Sequence, residues 1–405
     1  MAVFTESRDL APCVAIVGPP NSGKTTLLHL LDHALRKHPS KPLAYVVKGN
    51  PDGTGRYLLY AKDQRDLVKS RVKGKWDGTA TIEQIRQWTR NSRRWLEIAL
   101  LDFGGMHSVE NIQMLAECSH YIIVCRTHWD IPAQEPTEGV ESWRVECQKA
   151  GLQEIAVIDS HWKEGEASAP VGVPMRGSFR ADYEEAVGNA NEPLVYTLVA
   201  AMLALPQPGR IPPYVNLARQ QRWDVATPWV DFHNFAGPEI GKLALSNSSV
   251  RLGGGTALFA YLMAVSHALA INRETGIELF DPKLPQGFVE IPARLTGAKN
   301  PDFPYDDIAV SWIPEAGPGD HAVLDILLRD KDRFLAPQAA EHLADLPIPM
   351  AASQVVGRQV KLFGGLPTWV WAAYLRCLIE WGASSVKLWD MGSKSYILIY
   401  PSVSV

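Results

Sequence analysis

A glycine-rich stretch of eight residues near the start of the chain constrains its fold more than any other feature. It runs from Gly18 to Thr25 and matches the pattern G-x-x-x-x-G-K-[ST] at every fixed position. Residues 14–17 before it are apolar, as in a buried strand, and the leucines within residues 26–35 recur at helical spacing. A strand, a glycine turn and a helix start direct backbone N–H groups and the positive end of the helix dipole towards one point. The pattern therefore predicts a phosphate-binding loop.

The polar side chains of this loop have expected roles in holding a nucleoside triphosphate. The Lys24 ammonium would reach the β- and γ-phosphates, and the Thr25 hydroxyl would hold Mg²⁺. The expected nucleotide-binding residues are Gly18, Asn21, Ser22, Gly23, Lys24, Thr25, Thr26 and Gly104. ATP and Mg²⁺ are therefore the predicted cofactors. The alternative, a chance glycine turn before an ordinary helix, fits the flanking residues poorly.

A second candidate nucleotide-binding element follows at residues 95–102, an apolar stretch that ends in Asp102. An acid at the end of a buried strand is typical of the Walker B position, where Asp102 would hold Mg²⁺ together with Thr25. The glycine at position 104 would let the backbone approach the γ-phosphate closely. The residue after the acid is Phe103, so the glutamate that is usual in AAA-type ATPases is absent there. Hydrolysis of ATP therefore stays an open question.

Helix-like stretches alternate with strand-like ones at residues 43–47, 121–125 and 155–159. This alternation predicts an α/β fold with a doubly wound parallel sheet. The strand that ends at Asp159 is followed by Ser-His-Trp rather than by a guanine-reading Asn-Lys-x-Asp, which favours ATP over GTP. Residues 160–180 contain Gly and Pro and are expected to form an irregular insertion. The proline-rich residues 205–213 are the best domain boundary.

Two regions between these motifs have both a functional and an ordinary interpretation. The turn-rich residues 48–55 would leave the sheet at its ligand-binding edge, which makes Asp52 a candidate for Mg²⁺, water or a substrate hydroxyl. A surface turn that needs Asp and Gly explains the same residues. Residues 56–94 are rich in Lys and Arg and would either supply a cation to a phosphoryl group or form a solvated helix face.

The bulk composition bounds the class of protein. A chain of 405 residues, 46% of them hydrophobic, is long enough for two or three domains with real cores. The net charge of -4 gives no general attraction to long nucleic acid or to an anionic membrane. Five scattered cysteines favour a reducing cytoplasm, and we expect neither a signal peptide nor a membrane span. The expected domains are 1–208, 209–300 and 301–405.

The C-terminal half contains a weak tandem repeat. Residues 255–281 and 364–390 match without gaps at an offset of 109, since 364 − 255 = 109. Each copy is expected to form a strand, a glycine turn, a helix and two further strands, which predicts a duplicated small α+β module. Two like units can pack about a pseudo-twofold axis and turn both helix starts towards one anion. The candidate ligand-binding residues are Gly254, Gly255, Thr256, Gly364, Gly365 and Asp390. Alternatively, the copies simply share a core and the glycines serve only the turns.

The chain resembles the ATPase part of a family of CRISPR-associated proteins at residues 18–26, 48–55, 72–76 and 101–105. In that family a P-loop domain labelled AAA is fused to a small ring nuclease of the Csx-three type. Residues 280–284 and 364–370 are similar to the nuclease module of the family.

The resemblance implies an accessory protein of type III CRISPR antiviral defence whose ligand is a cyclic oligoadenylate, foremost cyclic tetra-adenylate. In ring nucleases the 2′-hydroxyl of the ligand attacks the neighbouring phosphate, and side chains orient it and stabilise the charge. The resemblance assigns these roles to His267, Asp281 and Lys283 in the first copy. The second copy keeps Asp390 but has Arg376 in place of the histidine and lacks the lysine. At most one copy is therefore equipped for cleavage.

Different classes of function stay open beside a ring nuclease with an ATPase domain. In a P-loop kinase, Asp52 would act as the base on an acceptor hydroxyl, and the arginines of residues 56–94 would hold the phosphates. A sensor would bind the ring without cleaving it. The sequence is also compatible with a homo-oligomer.

Overall fold

The computed structural model describes residues 10–20, 22–40, 42–48, 79–105, 107–126, 139–161, 168–180, 191–206, 214–217, 232, 234, 236–246, 249–253, 258–297, 308–315, 321–328, 337–390 and 395–400. The chain divides into two compact units. The first unit comprises residues 1–211 together with 282–285, and the second comprises 212–281 and 286–405.

Strands and helices alternate along the first unit. In chain order they are β1 (Cys13–Val17), α1 (Lys24–Lys37), β2 (Ala44–Lys48), α2 (Thr79–Trp95), β3 (Ile98–Asp102), α3 (Val109–Leu115), β4 (His120–Cys125), α4 (Val140–Lys149), β5 (Gln153–His161), β6 (Ser168–Val171), β7 (Met175–Arg180) and α5 (Glu192–Leu203). The sheet has the order β2-β3-β1-β4-β5-β7-β6, and its first six strands run parallel. The predicted α/β fold with a parallel sheet is confirmed.

Both faces of this sheet are covered. Every residue of β1 and β3 is buried, although successive side chains of a strand point to opposite faces. On one face, leucines of α1 and α5 such as Leu27 and Leu198 pack with Ile16 of β1 in one hydrophobic cluster. Strands buried on both faces explain why these stretches are continuously apolar in the sequence rather than alternating.

The expected irregular insertion at residues 160–180 is wrong for the residues that are described there, 160–161 and 168–180. Strand β5 extends to His161, and β7 pairs with it in parallel over six residues, from Ala156 opposite Met175 onwards. Strand β6 runs antiparallel to β7 before the turn at Gly172, where φ is +86°. The Gly and Pro of that turn dominate the sequence signal, whereas the strand forms because the sheet edge offers backbone hydrogen-bond partners.

The prediction of one strand over residues 95–102 is also wrong at its start. Trp95 is the last residue of α2, and the Leu96 N–H still donates to the Ser92 carbonyl oxygen at 3.0 Å. Strand β3 begins only at Ile98. Apolar residues at the end of a buried helix and at the start of a buried strand give the same sequence pattern, so the pattern could not separate them.

The second unit contains two sheets. Its elements are β8 (Val215–Asn216), α6 (Gly237–Leu245), β9 (Val250–Gly253), α7 (Leu258–Ile271), β10 (Ile277–Phe280), β11 (Phe288–Glu290), β12 (Ile308–Glu315), β13 (His321–Leu328), β14 (Gln359–Gly364), α8 (Thr368–Glu380), β15 (Ser385–Asp390) and β16 (Ser395–Tyr400). The sheets have the orders β11-β10-β9-β8 and β12-β13-β14-β15-β16. In the first sheet, β8, β9 and β10 are parallel and β11 is antiparallel to them. In the second sheet, β13, β14 and β15 are likewise parallel and β16 is antiparallel to them.

Helix α7 lies at the centre of this unit. It contacts α6, α8 and β16, and its residues from Phe259 to Ser266 are all buried. An apolar helix that is covered on several sides has little amphipathic pattern, which matches its sequence. The helix of the first repeat copy is thus packed against elements of the second copy.

Arg376 of α8 provides a first testable prediction on stability. It is 3% exposed, its Nη1 donates to the carbonyl oxygens of Thr275 and Ile291, both at 3.3 Å, and its Nη2 donates to that of Arg273 at 3.0 Å. Substitution Arg376→Met leaves these acceptors without their donor, so we expect a loss of about 3 kcal/mol in the free energy of unfolding. Urea denaturation followed by circular dichroism measures it.

The matched control is Arg273→Ala, because the Arg273 side chain is exposed and only its carbonyl takes part in the contact. We expect this substitution to cost less than about 0.5 kcal/mol. Equal losses for the two variants would contradict the structural role of the Arg376 guanidinium.

Candidate functional site

The predicted phosphate-binding loop joins β1 to α1 with a backbone that only glycine can adopt. Gly18 has φ of +142°, and a Cβ atom on it would lie 2.0 Å from the carbonyl oxygen of Val124 on the neighbouring strand β4. Gly23, just before α1, has φ of +90° in the left-handed region. The two fixed glycines of the pattern therefore allow the loop to pass close to β4 and to enter the helix.

Lys24 is held inside this loop. Its side chain is 7% exposed, and its ammonium donates to the carbonyl oxygens of Gly18 at 2.9 Å and Pro19 at 2.7 Å. Anionic phosphate oxygens are stronger acceptors for an ammonium than neutral carbonyls are. The lysine is thus placed at the loop before any ligand contact is required.

Ser22 is the most informative side chain of the loop. Its residue is fully buried, and its Oγ has no hydrogen-bond partner among the residues that the structure describes. A buried hydroxyl without a partner is costly, and an anion oxygen in the loop would supply the missing acceptor. Thr25 is half-buried and Thr26 buried in the first turn of α1, whereas Asn21 lies outside the described residues. These residues fit a bound phosphate.

Asp102 lies beside the loop, as the last residue of β3. It is 3% exposed and stands opposite Ile16 of β1 in the strand register. The backbone after it also reaches the loop, since a Cβ on Gly105 would lie 2.5 Å from the Cα of Pro20. Carboxyl ends of neighbouring parallel strands meet at one edge of the sheet, which is the usual ligand edge. The loop and the buried acid therefore share that edge, a donor set that suits Mg²⁺.

Sequence reasoning missed the side chains that support the segment after Asp102. A Cβ on Gly104 would lie 2.8 Å from Nδ2 of Asn111, a buried residue of α3. His107 packs edge-on against the buried Trp143 of α4, with ring centroids 4.3 Å apart. The one signal in the sequence is Ser108, whose Oγ accepts from the Asn111 N–H and caps α3.

On the other side of the loop, the ends of β4 and β5 carry a thiol and a carboxyl group in contact. The Cys125 Sγ donates to Oδ1 of Asp159 at 2.7 Å. Burial, followed by this hydrogen bond and the charge of the carboxylate, raises the pKa of the Cys125 thiol to about 12. The thiol is therefore neutral at physiological pH and acts as a hydrogen-bond donor rather than as a nucleophile.

The residues predicted to catalyse cleavage of a cyclic ligand each contact different neighbours. His267 Nε2 lies 3.2 Å from the Gly237 carbonyl oxygen, and its ring packs edge-on against Phe232. Oδ2 of Asp281 accepts from the Trp369 indole N–H at 3.1 Å. Lys283 belongs to the first unit, where its ammonium lies 5.3 Å from the ring centroid of Trp88. The remaining catalytic candidate, Asp52, lies outside the described residues.

Some of the candidate ligand-binding residues of the C-terminal half lie among the described residues. Gly254, Gly255 and Thr256 lie outside the described residues, whereas Asp390 is the half-buried last residue of β15. Gly364 ends β14 with φ of +142°, and a Cβ on it would lie 1.8 Å from the Ile326 carbonyl oxygen on β13. A Cβ on Gly365 would meet nothing within 4 Å. Gly364 thus repeats the geometry of Gly18, with a glycine crossing the carbonyl of the adjacent strand before a helix.

The described residues contain no group of three or more His, Cys, Asp or Glu side chains close enough to form a metal site by themselves. None of their helices has both the length and the apolar character needed to cross a bilayer. A metal ion at the loop would accordingly need ligands beyond such a cluster, as in sites where phosphates complete the coordination.

The six parallel strands of the sheet, the glycine loop between β1 and α1 and the acid at the end of β3 define the first unit as a P-loop NTPase fold. A scan against protein-family models and a comparison with curated proteins gave no match.

Among solved structures, the chain is similar to the septum site-determining protein MinD of Pyrococcus horikoshii in complex with Mg-ADP. The sequence identity is 13% and the TM-score is 0.33, and the match covers 47% of this chain and 95% of that one. The chain is also similar to the cell division ATPase MinD of Pyrococcus furiosus, with 12% identity and a TM-score of 0.32, covering 48% of this chain and 98% of that one.

Proposed function

We propose that the first unit binds ATP together with Mg²⁺ and acts as a P-loop ATPase. The observation that carries the proposal is the interior of the loop. There the buried Lys24 ammonium lies in the same glycine turn as the buried Ser22 hydroxyl, which has no hydrogen-bond partner among the described residues. Lys24 and Ser22 would bind phosphate oxygens, and Thr25 and Asp102 would hold the metal. When bound, Mg²⁺ neutralises phosphate charge and orients the terminal phosphate.

The side chains around Asp102 favour slow hydrolysis. Phe103 follows the acid and is 1% exposed, so that position offers an aromatic ring and no carboxylate to activate water. Glu110 or Asp52 would have to supply a base. A P-loop kinase, in which the terminal phosphate passes to an acceptor hydroxyl, is the alternative that this feature favours, since phosphoryl transfer depends chiefly on positioning and charge.

The proposal is tested by ATP binding with and without Mg²⁺ in the wild type and in Asp102→Asn. We expect Mg²⁺ to strengthen ATP binding in the wild type, and the variant to bind Mg-ATP about tenfold more weakly while its affinity in EDTA is unchanged, because one charged metal ligand is lost. Isothermal titration calorimetry gives both affinities. The matched control is Glu239→Gln on the exposed side of α6, which should leave both unchanged.

Two results separate the alternatives. Release of inorganic phosphate from radiolabelled ATP supports an ATPase, and transfer of the label to an added nucleotide or sugar supports a kinase. A wild-type chain that binds no ATP, or an Asp102→Asn variant with an unchanged response to Mg²⁺, would refute the nucleotide-binding proposal.

For the second unit we propose binding of a cyclic oligoadenylate, foremost cyclic tetra-adenylate, in type III CRISPR signalling. The observation that favours it is that strands β8–β11 and β13–β16 have the same order and directions in their two sheets. In addition, β14 ends in a glycine turn with the geometry of the phosphate loop. His267, Asp281 and Asp390 are the polar contributors that the second unit itself offers.

Incubation with a panel of cyclic oligoadenylates, followed by chromatography and equilibrium binding, tests this second proposal. A ring cleaved to linear products indicates a nuclease, and an intact ring that is bound tightly indicates a sensor. If no member of the panel is bound or cleaved, with or without Mg-ATP, this proposal fails while the first one stands.

A further inference from the structure

The five-stranded sheet of the second unit has a face of partly exposed aromatic side chains. Along β14 every second residue is buried, and Lys361 and Phe363 occupy positions on the other face. On that face the ring of Phe363 lies 6.2 Å from that of Trp389, and Trp389 lies 5.1 Å from Tyr396, between centroids. The Lys361 ammonium lies 5.5 Å from the Tyr396 centroid. The sheet therefore presents three half-buried rings beside a cation.

The four-stranded sheet carries a second face of the same kind. The rings of Phe280 and Phe288 lie 5.3 Å apart, and the Arg251 guanidinium carbon lies 5.4 Å from the Phe288 centroid. Tyr214 stacks on Phe280 at 6.1 Å with an interplanar angle of 9°. All of these side chains are partly exposed. The aromatic rings and the cation are again side by side on a sheet surface.

The two faces correspond strand for strand. In each, the cation is on the central one of three parallel strands, Arg251 on β9 and Lys361 on β14. Two aromatic residues stand directly opposite each other across the antiparallel pair that follows, Phe280 with Phe288 on one sheet and the Trp-Tyr pair of β15 and β16 on the other. The cation lies over the ring of the antiparallel strand in both.

We propose that these two cation–aromatic faces bind the bases of a short single-stranded oligonucleotide, with each face stacking one base. Partly exposed rings on an open sheet are the surface on which proteins stack unpaired bases, and a neighbouring cation adds a cation–π contribution. A ligand that repeats one planar aromatic unit matches a surface motif that is itself repeated. The inference rests on and deepens the proposal that the second unit binds an oligoadenylate, and it does not depend on nucleotide binding by the first unit. A linear hexa-adenylate that fails to bind while a cyclic ring binds would overturn this inference alone.

The charges on the larger face determine how such binding depends on salt. Lys361 is paired with Glu315 at 2.7 Å, Lys387 stands opposite Lys361 in the register, and Asp325 stands opposite Phe363. Two lysines are thus balanced by two carboxylates, and phosphates gain little net attraction. Affinity must come from stacking, so we expect a plot of log Kd against log salt concentration with a shallow slope, below about 1.

The test is fluorescence anisotropy of a labelled hexa-adenylate RNA with the full chain. Loss of one stacking ring weakens binding by about 5- to 150-fold, so Trp389→Ala and Phe288→Ala are each expected to lower the affinity about tenfold. Trp389→Phe, which keeps a ring, should stay within about threefold of the wild type. The matched control is Tyr196→Ala in the first unit, a 50% exposed aromatic residue outside both faces, which should have no effect.

An abasic hexamer with the same number of phosphates distinguishes stacking from charge, and we expect it to bind at least about tenfold more weakly than hexa-adenylate. Equal binding of the abasic oligomer, or no binding of hexa-adenylate by the folded wild type, would overturn the proposal. The proposal would also fail if Trp389→Ala bound hexa-adenylate as tightly as Trp389→Phe and the wild type do. If Trp389→Ala instead turned a dimer into a monomer in sedimentation velocity while its RNA affinity stayed the same, the face would bind a second copy of the chain and not RNA.

Discussion

Substitution Lys24→Ala is expected to weaken ATP binding by at least about 100-fold. The Lys24 ammonium already lies at the loop, hydrogen-bonded to the carbonyl oxygens of Gly18 and Pro19. Two charge-assisted hydrogen bonds to phosphate oxygens contribute about 3 kcal/mol together, and about 1.4 kcal/mol corresponds to a factor of ten in affinity. Isothermal titration with Mg-ATP measures the loss.

The matched control for this prediction is Lys37→Ala at the other end of the same helix, where the side chain is exposed. It removes an equal charge, but far from the loop, and should change the affinity less than about twofold, as expected for a screened surface charge. Comparable thermal unfolding of both variants would exclude a folding defect. An unchanged affinity in Lys24→Ala would refute the assignment of the loop.

Substitution Gly364→Ala is expected to unfold the second unit or to cost at least about 4 kcal/mol in its stability. The added Cβ would lie 1.8 Å from the carbonyl oxygen of Ile326, and the φ of +142° is strained for any residue with a side chain. The contact is with the backbone of an inner strand, so rotation of a side chain cannot relieve it. Urea unfolding, or soluble yield where the variant does not fold, measures the effect.

Its control is the adjacent substitution Gly365→Ala, because a Cβ there meets nothing within 4 Å and the backbone is not in the left-handed region. We expect it to cost less than about 1 kcal/mol. The contrast between the neighbours would show that Gly364 is required by the backbone geometry whatever the unit binds. Equal stability of the two variants would contradict the close approach of β14 to β13.

The phosphate loop and helix α8 could be predicted from sequence because each depends on local information. Fixed glycines, a lysine and flanking periodicity identify residues 18–25, and the structure gives the backbone reason for both glycines. The helix expected after the glycine turn of the second copy is α8 (Thr368–Glu380), since a long apolar periodic segment is the most reliable pattern in a sequence.

What could not be predicted depends on contacts between residues far apart in the chain. Strand β7 forms because β5 offers it a parallel partner, and no residue within it signals that partner. The side chain of Arg376 looks like a surface cation in the sequence, and only the fold brings three carbonyl groups to its guanidinium. Likewise, His107 and Trp143 are 36 positions apart (143 − 107), and their contact supports the segment after Asp102 without any recognisable motif.

The position of α7 has a consequence for how the C-terminal half behaves when heated or truncated. This helix is encoded by the first repeat copy, yet it is covered by α8 and β16 of the second. A fragment that stopped between the copies would leave its apolar side chains in water and would aggregate, since neither copy completes a hydrophobic core alone. The segments 255–281 and 364–390 should therefore melt in a single cooperative transition, like one domain.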